Sequence, residues 1–201
     1  MISVKRMREL EKKAEKIGIS RLQLMENAGK AVAELLAKDI DLSGKKIAVV
    51  CWHGNNGGDG FVAARYLARY ADVRVVFLGD LEKLSEEARI NYDRLLIKGI
   101  PVEREVYAIS GADIVVDALL GTGIEGRLKD KLREAVEKIN SSGAFIVSID
   151  VPTGLDPDTG YPKDKTVKAD VIISLHDIKR GLKKYKDKVI VADIGIPKGL
   201  K

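Results

Sequence analysis

The chain has 201 residues, 45% hydrophobic and 32% charged, with a formal net charge of +5, which suits one large α/β domain with its own core. Basic residues are interleaved with acids, so the local run Lys183-Lys184-Tyr185-Lys186 reads as a solvated face and nucleic acid is not expected as a partner. A single cysteine, Cys51, excludes an intrachain disulfide, and no apolar stretch has membrane length or signal-peptide order. A soluble, cytoplasmic protein is expected.

Met7, Leu10, Ala14 and Ile17 fall at helical spacing and predict a helix over 3–17, ended at Gly18. Ser20 and Gln23 fit a capping box that opens a second helix, with Met25, Ala28, Val32, Leu35 and Leu36 as its apolar stripe. Glu26 and Asn27 lie beside that stripe and read as a solvated face. The two N-terminal helices, within residues 3–39, are expected to pack outside the core or to form a partner surface.

An α/β core is expected over 45–197. Strands are predicted at 46–51, 73–78, 101–106, 113–117, 144–149, 170–175 and 188–192, and helices at 60–71, 84–98 and 129–141. The strands are nearly continuous Val, Ile, Leu and Ala runs rather than apolar/polar alternations. Continuous runs mean burial on both faces, the mark of a mostly parallel sheet sandwiched by helices.

Three polar loops each follow an apolar strand. The first is Gly54-Asn55-Asn56-Gly57-Gly58-Asp59-Gly60, the second Asp117 to Gly123, and the third Asp150 to Asp156. Glycine permits positive φ and close backbone approach, and a helix N-terminus behind the first loop suits phosphate. In a parallel sheet all three loops lie at the C-terminal edge, where ligands of open α/β sheets bind. Asn56, Asp59, Asp117, Asp150 and Thr153 therefore share one rim. An aspartate at a strand end is often only a turn former, but three acid- and glycine-rich loops together argue for a site. Gly121-Thr122-Gly123 reads as a phosphate cradle or a turn, and Arg127 as a phosphate contact or a surface charge. His53 borders the first loop as a packing, lid or ligand residue.

Clustered carboxylates would repel a phosphate-bearing ligand, and a bound cation removes the conflict. Asn56, Asp117 and Thr153 offer hard oxygen donors with a single carboxylate, which suits a weakly charged cation. Two histidines and one cysteine argue against zinc. A competing pattern is present. Gly58-Asp59-Gly60-Phe61-Val62-Ala63 fits G-x-G-x-x-G/A, with Asp80 after the next strand as a ribose-binding acid, as in nicotinamide-dependent dehydrogenases. That pattern leaves Asn55, Asn56 and the two acidic loops unexplained.

The segments GNNGGDGFVAARYL, DALLGTGIEGR, SIDVPTGLDPDTG and LMENAG together resemble the YjeF N-terminal domain family, the NAD(P)H-hydrate epimerases, over about residues 3–197. The resemblance implies a three-layer α/β/α sandwich, Rossmann-like, and often a homodimer. It implies interconversion of the R and S forms of hydrated NADH and NADPH (NAD(P)HX), a nucleotide repair reaction. Some relatives of this fold are scaffolding modules without catalysis. Asn55, Asn56, Gly57, Gly58 and Asp59, the run Gly121, Thr122, Gly123, Ile124, Glu125, Gly126 and Arg127, and Asp150 would hold the substrate. Asn56, Asp117 and Thr153 would bind one potassium ion (K+). The expected mechanism is loss of hydroxide from a carbinolamine carbon and return of water on the other face. Asp150 is the expected acid–base group and Asp59 the second candidate. Family members are often fused to an ATP- or ADP-dependent hydrate dehydratase, and a separate dehydratase is expected as pathway partner here. The family segment S-F-x-A-P-K-x-G reads Ser174-Leu175-His176-Asp177-Ile178-Lys179-Arg180-Gly181 in this chain. Lys179 and Gly181 are kept and the Ala-Pro pair is replaced, which puts the shape of that loop in question.

Overall fold

The structure is a computed structural model and describes residues 1–123 and 126–200. Helices α1 (Val4–Lys16) and α2 (Arg21–Asp39) precede β1 (Lys46–Cys51), α3 (Asn55–Leu67), β2 (Asp72–Phe77), α4 (Glu86–Ile97) and β3 (Val102–Glu103). Then follow β4 (Ile114–Ala118), α5 (Asp130–Asn140), β5 (Phe145–Ile149), β6 (Val171–Leu175) and β7 (Val189–Ala192). The seven strands form one sheet in the order β3-β2-β1-β4-β5-β6-β7. Every neighbouring pair is parallel.

Both faces of the sheet are buried because successive side chains alternate between them. Ile47, Val49 and Cys51 of β1 join Val116, Val75 and Phe77 in a core shared with α1, α2, α3 and α4. Ala48 and Val50 point the other way, into a core shared with α5 through Leu132, Ala135, Val136 and Ile139. This accounts for the uninterrupted apolar runs and makes three layers.

Strand order is set by the connections rather than by any local pattern. β1 pairs with β2 on one side and β4 on the other, so the chain reverses its winding direction there. The carboxyl ends of β1 and β4 at such a reversal leave a crevice. The loops after β1, β4 and β5 meet at it.

Three sequence expectations change. Helix α3 begins at Asn55 rather than at 60, so most of the glycine-rich segment is the helix's first turns and not a loop. Gly54 caps it with extended backbone, and Gly58 N–H donates to the Gly54 carbonyl at 3.1 Å. None of Gly54, Gly57, Gly58 and Gly60 has positive φ; these glycines serve close approach instead. A Cβ on Gly57 would lie 1.8 Å from the Trp52 carbonyl oxygen, and one on Gly60 2.6 Å from the Ala118 Cβ. Strand β3 shortens to two residues, and Val106–Ile109 is a 3-10 turn. Only one side of that edge has a partner, and Arg104 turns away to the Gly79 carbonyl at 2.8 Å.

The third change concerns the N-terminal helices, which are layers of the fold rather than appendages. α2 packs along α3, with the Gly29 Cα position against Val62 and the Asp59 carbonyl. Glu26 is no solvated residue. Its carboxylate accepts from Arg65 of α3 at 2.6 Å and from the Tyr66 hydroxyl at 2.9 Å. Asn27 donates to the Ile194 carbonyl at 2.8 Å and so ties α2 to the segment after β7. Gly57→Ala is expected to lower stability by about 2 kcal/mol or more through overpacking. The check is a lower urea midpoint with unchanged slope, and an unchanged midpoint would contradict it.

Candidate functional site

A cavity of about 260 Å³ opens at the crevice beyond β1, β4 and β5. One wall is the start of α3, with Gly54, Asn55, Asn56 and Asp59. The opposite wall is Leu119 to Gly123 after β4, and Asp150 after β5 closes the floor. Leu175, Lys179 and Ile194 come from the last part of the chain, and Met7, Arg8 and Glu11 from α1. An adjoining cavity shares Arg8, Glu11, Asn55, Asp59, Leu175 and Ile194 and runs on beneath α1 and α2.

Beneath the cavity lies a fully buried polar knot. The Asp117 carboxylate ends β4 and accepts four protein donors. Thr153 Oγ1–H and Leu119 N–H reach Oδ1 at 2.7 and 3.3 Å. Ser148 Oγ–H and Thr153 N–H reach Oδ2 at 2.8 and 2.9 Å. Thr153 Oγ1 in turn accepts from Leu120 N–H at 2.9 Å and stands 3.1 Å from the Leu120 carbonyl. Burial raises the Asp117 pKa, and the bonds from Thr153, Ser148 and Leu119 oppose that rise. The knot fixes the loops after β4 and β5 against each other.

Asp150 follows β5 with φ 69°, a left-handed conformation that aspartate tolerates better than most residues. Its backbone N–H donates to the Ile173 carbonyl at 2.8 Å, and its Oδ1 accepts from Leu175 N–H at 3.3 Å. Lys179 completes this grip: its ammonium, 1% exposed, contacts Asp150 Oδ1 and donates to the Leu175 carbonyl at 2.6 Å. The Lys179 loop is itself held by the N-terminus. Ile2 N–H donates to the Ile178 carbonyl at 2.8 Å, and Arg180 N–H donates to the Ile2 carbonyl at 3.1 Å. The Asp177-Ile178 pair thus stands where the backbone receives Ile2.

Asp59 faces the cavity from the first turns of α3 and is 8% exposed. Burial, then the Asp150 and Glu11 charges, raise its pKa well above 3.8, and Lys179 opposes them. Glu11 is also raised, by burial and by Asp150, against Lys179, Arg8 and Arg21. Asn56 brings its Oδ1 to 3.0 Å, and Asp150 its Oδ2 to 3.2 Å, from the point where a Gly121 Cβ would sit. Two oxygens therefore converge on a glycine that leaves them room. Asn56 Nδ2 is buried and has no hydrogen-bond partner among the described residues.

Of the residues singled out in the sequence, Asn55, Asn56, Asp59, Gly121, Thr122, Gly123 and Asp150 line the cavity, with Asp117 and Thr153 buried below it. Gly57 and Gly58 do not line it; they pack on Trp52 and Met25. Gly126 and Arg127 are exposed outside the lining. Ile124 and Glu125 lie outside the described residues. His53 turns away, its Nδ1 accepting from Asp80 N–H at 3.2 Å and its ring tilted on Trp52. Asp80 caps the next turn through Glu82 N–H and pairs with Lys83, away from the cavity, so it offers no ribose contact there. Glu11 and Arg8 had no signal in chain order, because α1 brings them in from far outside the three loops, and Lys179 was marked only as a retained residue of the family segment. Glu11 does flank the apolar stripe of α1, four residues after Met7.

Residues 21–181 match the family described as YjeF-related protein N-terminus. A bifunctional NAD(P)H-hydrate repair enzyme of Methanothermobacter thermautotrophicus is 45% identical over 199 residues, covering 92% of this chain and 38% of that protein. An NAD(P)H-hydrate epimerase of Cenarchaeum symbiosum is 39% identical over 208 residues, covering 98% and 95%. The crystal structure of a yeast protein superposes with a TM-score of 0.85 at 26% identity, over 95% of this chain and 86% of that one. The chain thus spans less than half the length of the bifunctional relative and nearly all of the epimerase. Among the described residues, no helix is long and apolar enough to cross a membrane.

The raised Asp59 carboxyl has a consequence for stability. The folded protein keeps a proton that the unfolded chain releases, so stability falls as pH rises from about 3.8 through the raised value. Asp59→Asn is expected to flatten this fall, read as melting temperature against pH. A decline as steep as that of the wild type would contradict it.

Proposed function

Because this chain belongs to the YjeF-related N-terminal family, we propose that it interconverts the R and S forms of hydrated NADH and NADPH. The observation that carries the reading is Asp150, a buried carboxylate held by Lys179 and Leu175 at the floor of the crevice between β1 and β4. The substrate carbon bears a hydroxyl beside a ring nitrogen. The nitrogen lone pair expels the hydroxyl and leaves an iminium, and water adds to the opposite face. The protein's task is to hold the ring in a dry cavity and to move protons to and from the two oxygens, with Asp150 as the carboxyl in reach. Free N–H groups at the start of α3 and the Gly121-Thr122-Gly123 turn suit the dinucleotide's phosphates.

A potassium ion fits the donors below the cavity. Asn56 Oδ1, the Asp117 carboxylate and the Thr153 hydroxyl would hold it. Asp117 already accepts four donors, about as many as its oxygens take. The Thr153 hydroxyl would therefore turn its proton to the Leu120 carbonyl, 3.1 Å away, which frees a lone pair on Asp117. A bound cation offsets the negative charge of the carboxylates and the phosphates. The set has one carboxylate and otherwise neutral oxygens, which suits a weakly charged ion. A homodimer and an ATP- or ADP-dependent dehydratase as pathway partner complete the proposal. The repair relatives named bifunctional support coupling to a second activity.

Separated R and S hydrates supplied to the purified protein test the reading. Wild type is expected to equilibrate them, and replacing potassium by a bulky organic cation to slow the rate. Asp150→Asn is expected to lower the turnover rate about 10²- to 10⁴-fold, the range for loss of an acid–base group. Full activity in Asp150→Asn would remove Asp150 from the chemistry. No equilibration by wild type would remove the activity itself.

A further inference from the structure

Resting on that reading, we propose that Lys179 is a positioning residue that divides the work between two carboxyl groups, making Asp150 the proton acceptor and Asp59 the proton donor. Three acids face this cavity from three elements: Glu11 on α1, Asp59 on α3 and Asp150 after β5. One buried cation, Lys179, stands among them. Its contacts are unequal. The ammonium touches Asp150 Oδ1 and donates to the Leu175 carbonyl, which uses two of its three N–H groups. Among the described residues Asp59 receives no such contact and no side-chain hydrogen bond; burial and then the Asp150 and Glu11 charges act on it, against Lys179.

An ammonium in contact with a carboxyl fixes its orientation, and Lys179 does this for Asp150 alone. A buried carboxyl beside like charges takes up a proton, which is the position of Asp59 and makes it the donor of the pair. The remaining charges around them do not reverse this. Arg8 and Arg21 act on Glu11. Asp177 lies in the Lys179 loop beside His176, whose pKa burial lowers. Burial raises the Cys51 thiol, and the Asp117 and Asp59 charges add to that rise.

The step balances. The substrate C–O bond breaks as Asp59 gives its proton to the departing hydroxyl, which leaves as water. The ring nitrogen's lone pair becomes the second C–N bond. Water then forms a new C–O bond on the other face and gives its proton to Asp150. For the reverse epimer the two carboxyls exchange roles, and between like turnovers one proton passes back from Asp150 to Asp59. Ile2 has a part too, since its backbone bridges to that on either side of Lys179.

Lys179→Met tests the proposal through the turnover rate and Michaelis constant of epimerisation. Turnover is expected to fall about 100-fold with the Michaelis constant little changed, because Asp150 loses the contact that orients it. A folded Lys179→Met with the wild-type turnover rate, or with its loss confined to the Michaelis constant, overturns it. Removing a partner from a buried pair is costly, so a second measurement uses proteins that keep Lys179. Infrared spectra of protein labelled with carbon-13 at aspartate carboxyls are expected to show a protonated carboxyl at neutral pH. That band should persist in Asp150→Asn and vanish in Asp59→Asn. If it survives Asp59→Asn, the assignment is wrong whatever the activity. If wild type does not epimerise the hydrates yet the band behaves as expected, the functional reading fails and the division of protons stands.

Discussion

The fully buried Asp117 carboxylate is the constraint on which the site depends. It sits at the end of β4, under the crevice made by the reversal of strand order. Removed from water, it needs a partner for each oxygen, and it finds them on Leu119, Ser148 and Thr153. These donors belong to the loop after β4, to β5 and to the loop after β5. One carboxylate therefore holds both loops in a single arrangement. Asp150 lies between Ser148 and Thr153, so its place on the cavity floor and its left-handed backbone follow from the same knot.

Above the knot the problem is charge rather than geometry. The cavity collects three carboxyl groups and would take a ligand with its own phosphates. Lys179 answers part of this, from a loop buttressed by Ile2, and α1 brings both Glu11 and Arg8. The ends of the chain thus finish a site whose centre is built by the sheet. Buried charge of this kind is a poor source of stability. Its value in the proposed reaction is chemical, because Lys179 touches Asp150 and not Asp59.

Much of the frame was legible in the sequence. The apolar runs gave a parallel sheet, since burial on two faces leaves no room for polar alternation. The acids at strand ends gave the rim, since parallel strands share one C-terminal edge. Strand order was not legible, because only tertiary connections determine it. The start of α3 was misread for a related reason: glycine usually marks a loop, yet Gly57 and Gly60 are in a helix because Trp52 and Ala118 press on it. Glu11 escaped notice as a site residue because it is a lone charge far along the chain from the motifs, and Lys179, though kept in the family segment, carried no sign in the sequence that it would meet Asp150. The Gly58-x-Gly60 match to a dinucleotide fingerprint failed at Asp80, whose carboxylate is spent on its own turn.

The central claim is that carboxyl groups of this crevice drive loss and return of the hydroxyl on a hydrated nicotinamide ring. Epimerisation in water enriched in oxygen-18 tests it most directly. The account predicts that each inversion replaces the substrate oxygen with one from solvent, at the rate of epimerisation. Inversion with the original oxygen retained, as ring opening and closure would give, would contradict it.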